Sequence, residues 1–206
     1  MIHAAKIFGL VELEKLCAES LKSILTVNNV GEFTSQALEC ESKASLEVCE
    51  EYFRANTDQV IKSEEFLSVS IEVLEALYGT ESITCSELDL FLALLAWAKS
   101  ECKRQKCEET PENLQRVVRN VVAKVRFPII PVKEIMETVI PKQLLTHEDV
   151  GRLIYEAQTK QKTTEFSNEH RTNIVKVEYY CIVSLTEDVI SLLGMITWPF
   201  GHHLML

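Results

Sequence analysis

The sequence predicts an all-α fold, a bundle of stacked short helices followed by a short irregular or strand-containing C-terminal tail. Three observations predict it. Apolar residues recur at helical spacing through most of the first 160 positions. Only six glycines and five prolines interrupt 206 residues, which favours long runs of helix. Capping residues stand just ahead of these runs again and again: Ser63, Ser70, Thr84, Thr110 and Thr146.

Taken in order, residues 3–25 hold two helical runs. Ala4, Ala5, Phe8 and Leu10 lead, and Leu13, Leu16, Cys17, Leu21, Ile24 and Leu25 follow, with Gly9 marking the bend between them. Asn29, with Glu32 three residues on, predicts the cap of a helix carrying Val30, Phe33, Ala37, Leu38 and Cys40. Glu41-Ser42-Lys43 breaks it. Leu46, Cys49 and Phe53 then lie on one face of the next helix, beside Val48 and Tyr52. The short connection predicts an antiparallel helical hairpin.

Ser63 predicts a capped turn holding Phe66. Ser70 opens a helix with Ile71, Leu74, Leu77 and Tyr78 that ends at Gly79. The central stretch runs from Thr84 to Lys103. Thr84 with Glu87 predicts a capping box, and Leu88, Phe91, Leu95, Ala98 and Cys102 follow at helical spacing. Leu90, Leu92, Leu94 and Trp97 make its middle apolar nearly all round, as in a helix buried on every side. Its apolar part is shorter than the roughly 20 residues that span a bilayer.

Thr110-Pro111-Glu112 opens a helix with Leu114, Val117, Val118, Val121, Val122 and Val125. It also carries Arg116 and Arg119, read either as a solvated basic face or as a docking face for an acidic partner. A proline-flanked turn at 127–131, a short helix with Ile135, Met136 and Val139, and a helix opened by Thr146 and Asp149 complete the bundle. After Lys160 the composition shifts. Residues 161–173 read as a flexible polar linker, and 174–183 are β-branched and aromatic like a strand. Glu187 and Asp188 argue against a membrane span in the apolar segment that follows.

Composition bounds the chemistry. A net charge of −10 disfavours general nucleic-acid binding, which needs clustered Lys and Arg. The seven cysteines are scattered, with no Cys-x-x-Cys pair, and read as reduced core residues of a cytoplasmic protein. No secretory signal opens the chain; Met1–Lys6 reads like the inside of an amphipathic helix, as if the chain began partway through a larger domain. No phosphate loop, nucleophile elbow or His-Glu-x-x-His occurs. His202-His203 and the Cys102/Cys107 pair are the remaining metal candidates, and neither supplies a full ligand set. The expectation is a protein with no catalytic residues, no cofactor and no bound metal.

The assembled residues resemble a known family. Ala4 to Phe8, Leu13, Leu16, Cys17 and Leu21 resemble the last helices of a BTB (POZ) domain, over residues 1–25. Asn29, Ala37, Leu46, Cys49 and Phe53 resemble the following helical pair, the three-box. Ser63, Phe66, Leu74, Ile83, Ser86-Glu87, Phe91, Ala93 and Trp97 resemble the core of a BACK domain, so that residues 26–160 form three-box plus BACK domain. Trp97-Ala98, Glu101-Cys102, Val125-Arg126-Phe127-Pro128 and Leu145-Thr146 are most similar to the subgroup that ends in a PHR β-sandwich.

The resemblance implies a substrate adaptor of a cullin-RING ubiquitin ligase, with a cullin scaffold and a protein substrate as partners. Most of a BTB domain is lacking, and residues 161–206 are too few for a sandwich or propeller, as in a truncated gene product, a fragment or a divergent gene model. Leu38, Leu46, Phe53, Phe91, Leu95 and Trp97 are expected in the core. Glu39, Arg116 and Arg119 are candidate partner contacts; Phe33 and Tyr52 are read as contacts or as core. Residues 1–25, left without a sheet to cover them, are expected to favour self-association. The alternative is a helical scaffold with no ubiquitin role.

Overall fold

The computed structural model of the chain describes Ala4, residues 8–159, Phe166 and Ser167. The described residues are helical and carry no strand. The expected strand at 174–183 and His202-His203 lie outside them.

Gly9, at φ +64°, turns the chain into α1 (Val11–Ile24). Helix α2 (Val30–Glu39) and helix α3 (Lys43–Val60) follow as a hairpin. The reversal between them is a Schellman turn: Glu41 N–H donates to Leu38 O and Ser42 N–H to Ala37 O, both at 2.9 Å. Glu41 takes the left-handed position, φ +49°, that glycine usually fills. Ser42 then caps α3 at Ser45 N–H, and its hydroxyl donates to Glu14 of α1 at 2.6 Å. A three-residue reversal, Cys40 to Ser42, thereby ties three helices together.

Near its end α3 kinks at Asn56 (φ −125°, ψ 20°). The Asn56 amide and the Thr57 hydroxyl donate to the carbonyls of Tyr52 and Phe53, four residues back. Side chains thus compete for acceptors of the helical ladder, a recognised cause of bending.

A 3₁₀ turn (Glu65–Ser68) leads to α4 (Ile71–Tyr78), capped by Ser70. The central helix is α5 (Glu87–Arg104). Its cap differs from the expected Thr84–Glu87 box. Ser86 accepts from Asp89 N–H at 3.1 Å and donates to the Asp89 carboxylate at 2.6 Å. Glu87 is instead buried, and its carboxylate accepts the Arg126 backbone N–H at 3.0 Å. The tertiary partner claims the glutamate, and the next serine-acid pair caps the helix.

Leu90, Phe91, Leu94, Ala98 and Cys102 are wholly buried on α5, and Trp97 is 1% exposed. The helix is not covered all round, however: Leu92, Ala96, Lys99 and Lys103 form an exposed stripe. Helix α6 (Pro111–Val122) packs on α5 through Leu114, Val118 and Val121. A 3₁₀ turn (Phe127–Ile129) seats Phe127 edge-on against Phe91, ring centroids 5.7 Å apart. The short helix expected around Ile135 is a composite of one α turn, a π segment (Ile135–Val139) and a 3₁₀ turn closing at Gln143, φ +55°. Helix α7 (His147–Thr159) is capped by Thr146.

One core cluster runs from Ala18 to Phe166. Phe53, Phe91, Leu95 and Trp97 are buried within it. Leu38 and Leu46, also expected in the core, are half-buried, with Leu38 packed against the cluster's edge. Helix α2 turns Val30, Thr34 and Ala37 inward, and α3 turns Ser45, Cys49, Phe53 and Thr57 inward. One residue, or about 100°, from those stripes, Leu38 and Leu46 fall on the flanks. Phe166 is buried edge-on against Phe127 at 4.9 Å; apart from Phe166 and Ser167, the expected polar linker at 161–173 lies outside the described residues.

Candidate interaction site

The serial packing sets the surfaces. Helix α1 packs on α3, α3 on α2, α2 on α4, α4 on α6 and α6 on α5. Each helix is held by its neighbours, and exposed side chains ride on a packed frame.

The first surface belongs to the α2–α3 hairpin. Phe33 on α2 and Tyr52 on α3 are each half-buried against the core with part of the ring open. Glu39 is exposed, its carboxylate accepting from Ser35 at 3.3 Å. Beneath α2, Gly31 meets the chain before α4 closely: a Cβ there would lie 2.5 Å from Val69 Cγ1. Asn29, expected as the α2 cap, instead accepts from Thr26 N–H at 2.7 Å and donates to Ile24 O at 2.9 Å. It fixes the α1–α2 corner, and α2 starts without a side-chain cap.

The second surface is an open cleft of about 730 Å³ between the start of α4, the end of α5 and α6. Its floor includes Trp97, whose Nε1 donates to Val69 O at 2.9 Å. Arg104 lies over the indole, 5.7 Å from the ring centroid, and donates to Ser68 O at 2.8 Å and Val69 O at 3.4 Å. A cation over an indole face is attracted by the ring quadrupole. Arg116 and Arg119 are exposed on the cleft's α6 side. Arg116 donates to Gln105 Oε1 at 3.1 Å and contacts Cys107 Sγ at 3.8 Å. Glu72 and Glu101 line the same cleft, with Glu101 paired to Arg104. The structure therefore brings Arg116 and Arg119 together and adds Arg104 and Trp97, which the sequence reading had not joined to them. No local pattern links positions 97–104 to 116–119; only the α5–α6 packing does.

The third surface is on α1 and the turn before it. Phe8 is 74% exposed, Leu16 59% and Ile24 50%, while Cys17, Ala18 and Leu21 face α3. Among the described residues, no group of three or more His, Cys, Asp or Glu side chains is close enough to hold a metal ion. No helix there is long and apolar enough to cross a membrane.

Comparison with known proteins agrees with this architecture. The family model described as "BACK: BTB And C-terminal Kelch" matches residues 30–140, just over half of the chain. BTB/POZ domain-containing protein 6 of Mus musculus is 29% identical over 152 residues, 74% of this chain and 28% of that protein. Its Xenopus tropicalis counterpart is 30% identical over 148 residues, 72% of this chain and 28% of that one. BTB/POZ domain-containing protein 3 of Homo sapiens is 24% identical over 175 residues, 84% and 34% of the two chains. The chain thus spans about a third or less of the length of these curated relatives. No solved structure matches. Helices stacked around α5, a matching family model and these relatives lead to one assignment: the chain belongs to the BACK family of BTB/POZ-domain proteins.

Proposed function

We propose that the chain is a non-catalytic interaction module of a cytoplasmic substrate adaptor for a cullin-RING ubiquitin ligase. The observation that carries this reading is the BACK match over a bundle whose α2–α3 hairpin leaves Phe33, Tyr52 and Glu39 partly or fully open. A hairpin with two partly exposed rings flanked by an acid suits a partner that buries the rings and pairs the rim. The stacked helices act as a spacer: rigid placement of a substrate near the ubiquitin-loading machinery raises its effective concentration there. The cleft with Arg104, Arg116 and Arg119 is the proposed contact for an acidic segment of the substrate.

Co-elution with the N-terminal domain of the third cullin on size exclusion tests the reading. The chain is expected to co-elute, and Phe33→Ala with Tyr52→Ala to weaken the complex without unfolding the bundle. Absence of a complex with the parent chain removes the cullin role. A second reading, a self-associating scaffold with no ubiquitin role, is favoured by the exposed Phe8, Leu16 and Ile24. Light scattering separates them: a monomer at all concentrations argues against self-association through residues 1–25.

A further inference from the structure

The C-terminus of α5 closes in a second Schellman turn. Cys107 N–H donates to Cys102 O at 3.0 Å and Lys106 N–H to Lys103 O at 3.1 Å, with Lys106 at φ +55°. This 6→1 closure sets Cys107 directly over Cys102. The Cys107 thiol donates to Cys102 O at 3.5 Å. In most Schellman turns these two positions make an apolar contact; here they make a sulfur pair.

We propose that Cys102 and Cys107 form an oxidative modification site, in which a hydroperoxide converts the pair to a disulfide spanning the end of α5. The two thiols are unequal in the way such chemistry requires. Cys107 is half-exposed, whereas Cys17, Cys40, Cys49, Cys85 and Cys102 are buried. The Arg116 guanidinium donates to Cys107 Sγ at 3.8 Å, so a cation stands beside the exposed sulfur. Cys102 is held as the thiol: burial and its bond to Cys107 push it up to about 11. Exposure makes Cys107 the sulfur that a peroxide reaches first, and burial leaves Cys102 as the one that resolves.

The steps balance. The Cys107 thiolate attacks the peroxide; an S–O bond forms, the O–O bond breaks, and the departing alkoxide or hydroxide takes a proton. The Cys102 sulfur then attacks the sulfenic sulfur. The S–S bond forms, the S–O bond breaks, and hydroxide leaves with the Cys102 proton as water. Two electrons pass from the two sulfurs to the peroxide. In a reducing compartment the bond would be transient, as regulatory disulfides are. It draws the Cys107 sulfur away from Arg116, whose guanidinium lines the cleft.

Peptide mapping of the full chain after stoichiometric hydrogen peroxide tests this. Trypsin cuts after Lys103 and Lys106, so residues 100–103 and 107–116 separate unless joined by the disulfide. The joined pair is expected as the dominant oxidised product, and dithiothreitol should release it. Cys102→Ala should leave Cys107 as a sulfenic acid trapped by dimedone. Oxidation spread evenly over other cysteines, or no joined pair from the unmodified chain, overturns the proposal. Because these readouts need no partner, they are independent of cullin binding.

Discussion

Replacing Trp97 tests whether α5 is the packed centre of the bundle. The side chain is 1% exposed and holds the Glu65–Ser68 turn through Nε1 to Val69 O. A tryptophan buries about 200 Å². At about 25 cal/mol per Å² this is about 5 kcal/mol, an upper figure because the unfolded chain already buries part of it. Trp97→Ala is therefore expected to cost about 3–5 kcal/mol. Against a typical total of about 5–15 kcal/mol, that leaves the bundle marginal. Trp97→Phe isolates the polar part. Val69 O keeps Arg104 as a donor, so no buried acceptor is orphaned, and the hydrogen-bond loss is about 1 kcal/mol. Urea unfolding followed by far-ultraviolet circular dichroism reads both. A Trp97→Ala cost below about 1 kcal/mol would refute the central packing of α5.

Further outcomes follow from specific contacts. Gly31→Ala gains helix propensity but sets a methyl 2.5 Å from Val69 Cγ1. A net loss of about 1–2 kcal/mol is expected, recovered in part by pairing with Val69→Ala, as thermal melts of single and double variants would reveal. Glu41→Gly and Lys106→Gly relieve left-handed backbone strain and are each expected to raise stability by up to about 1 kcal/mol in chemical denaturation. No gain at either site would count against those turn conformations. Glu87→Ala leaves the buried Arg126 N–H without this acceptor and should cost about 1–3 kcal/mol in the same assay; a neutral change would count against the Glu87–Arg126 link.

Much of the bundle was legible because its signals are local. Ser63, Ser70, Thr110-Pro111 and Thr146 each stand beside the N–H groups they cap, so spacing alone finds them. The α5 boundary was not, since Thr84-x-x-Glu87 and Ser86-x-x-Asp89 are equivalent on paper. The choice falls to Arg126, 39 residues from Glu87. The π segment at Ile135–Val139 has no comparable marker. Leu38 and Leu46 show the limit of periodicity: it finds a stripe, but a shift of one residue moves its edge to the flank. The cleft was half visible. Arg116 and Arg119 announce a basic face, but Trp97 and Arg104 join them only through packing.

Amide hydrogen exchange, with and without the N-terminal domain of the third cullin, tests the central claim most directly. If the α2–α3 hairpin is the scaffold contact, added cullin domain slows exchange within residues 29–60 and leaves the core of α5 slow throughout. Unchanged exchange across that hairpin, or protection confined to the Arg104–Arg116 cleft, would contradict it.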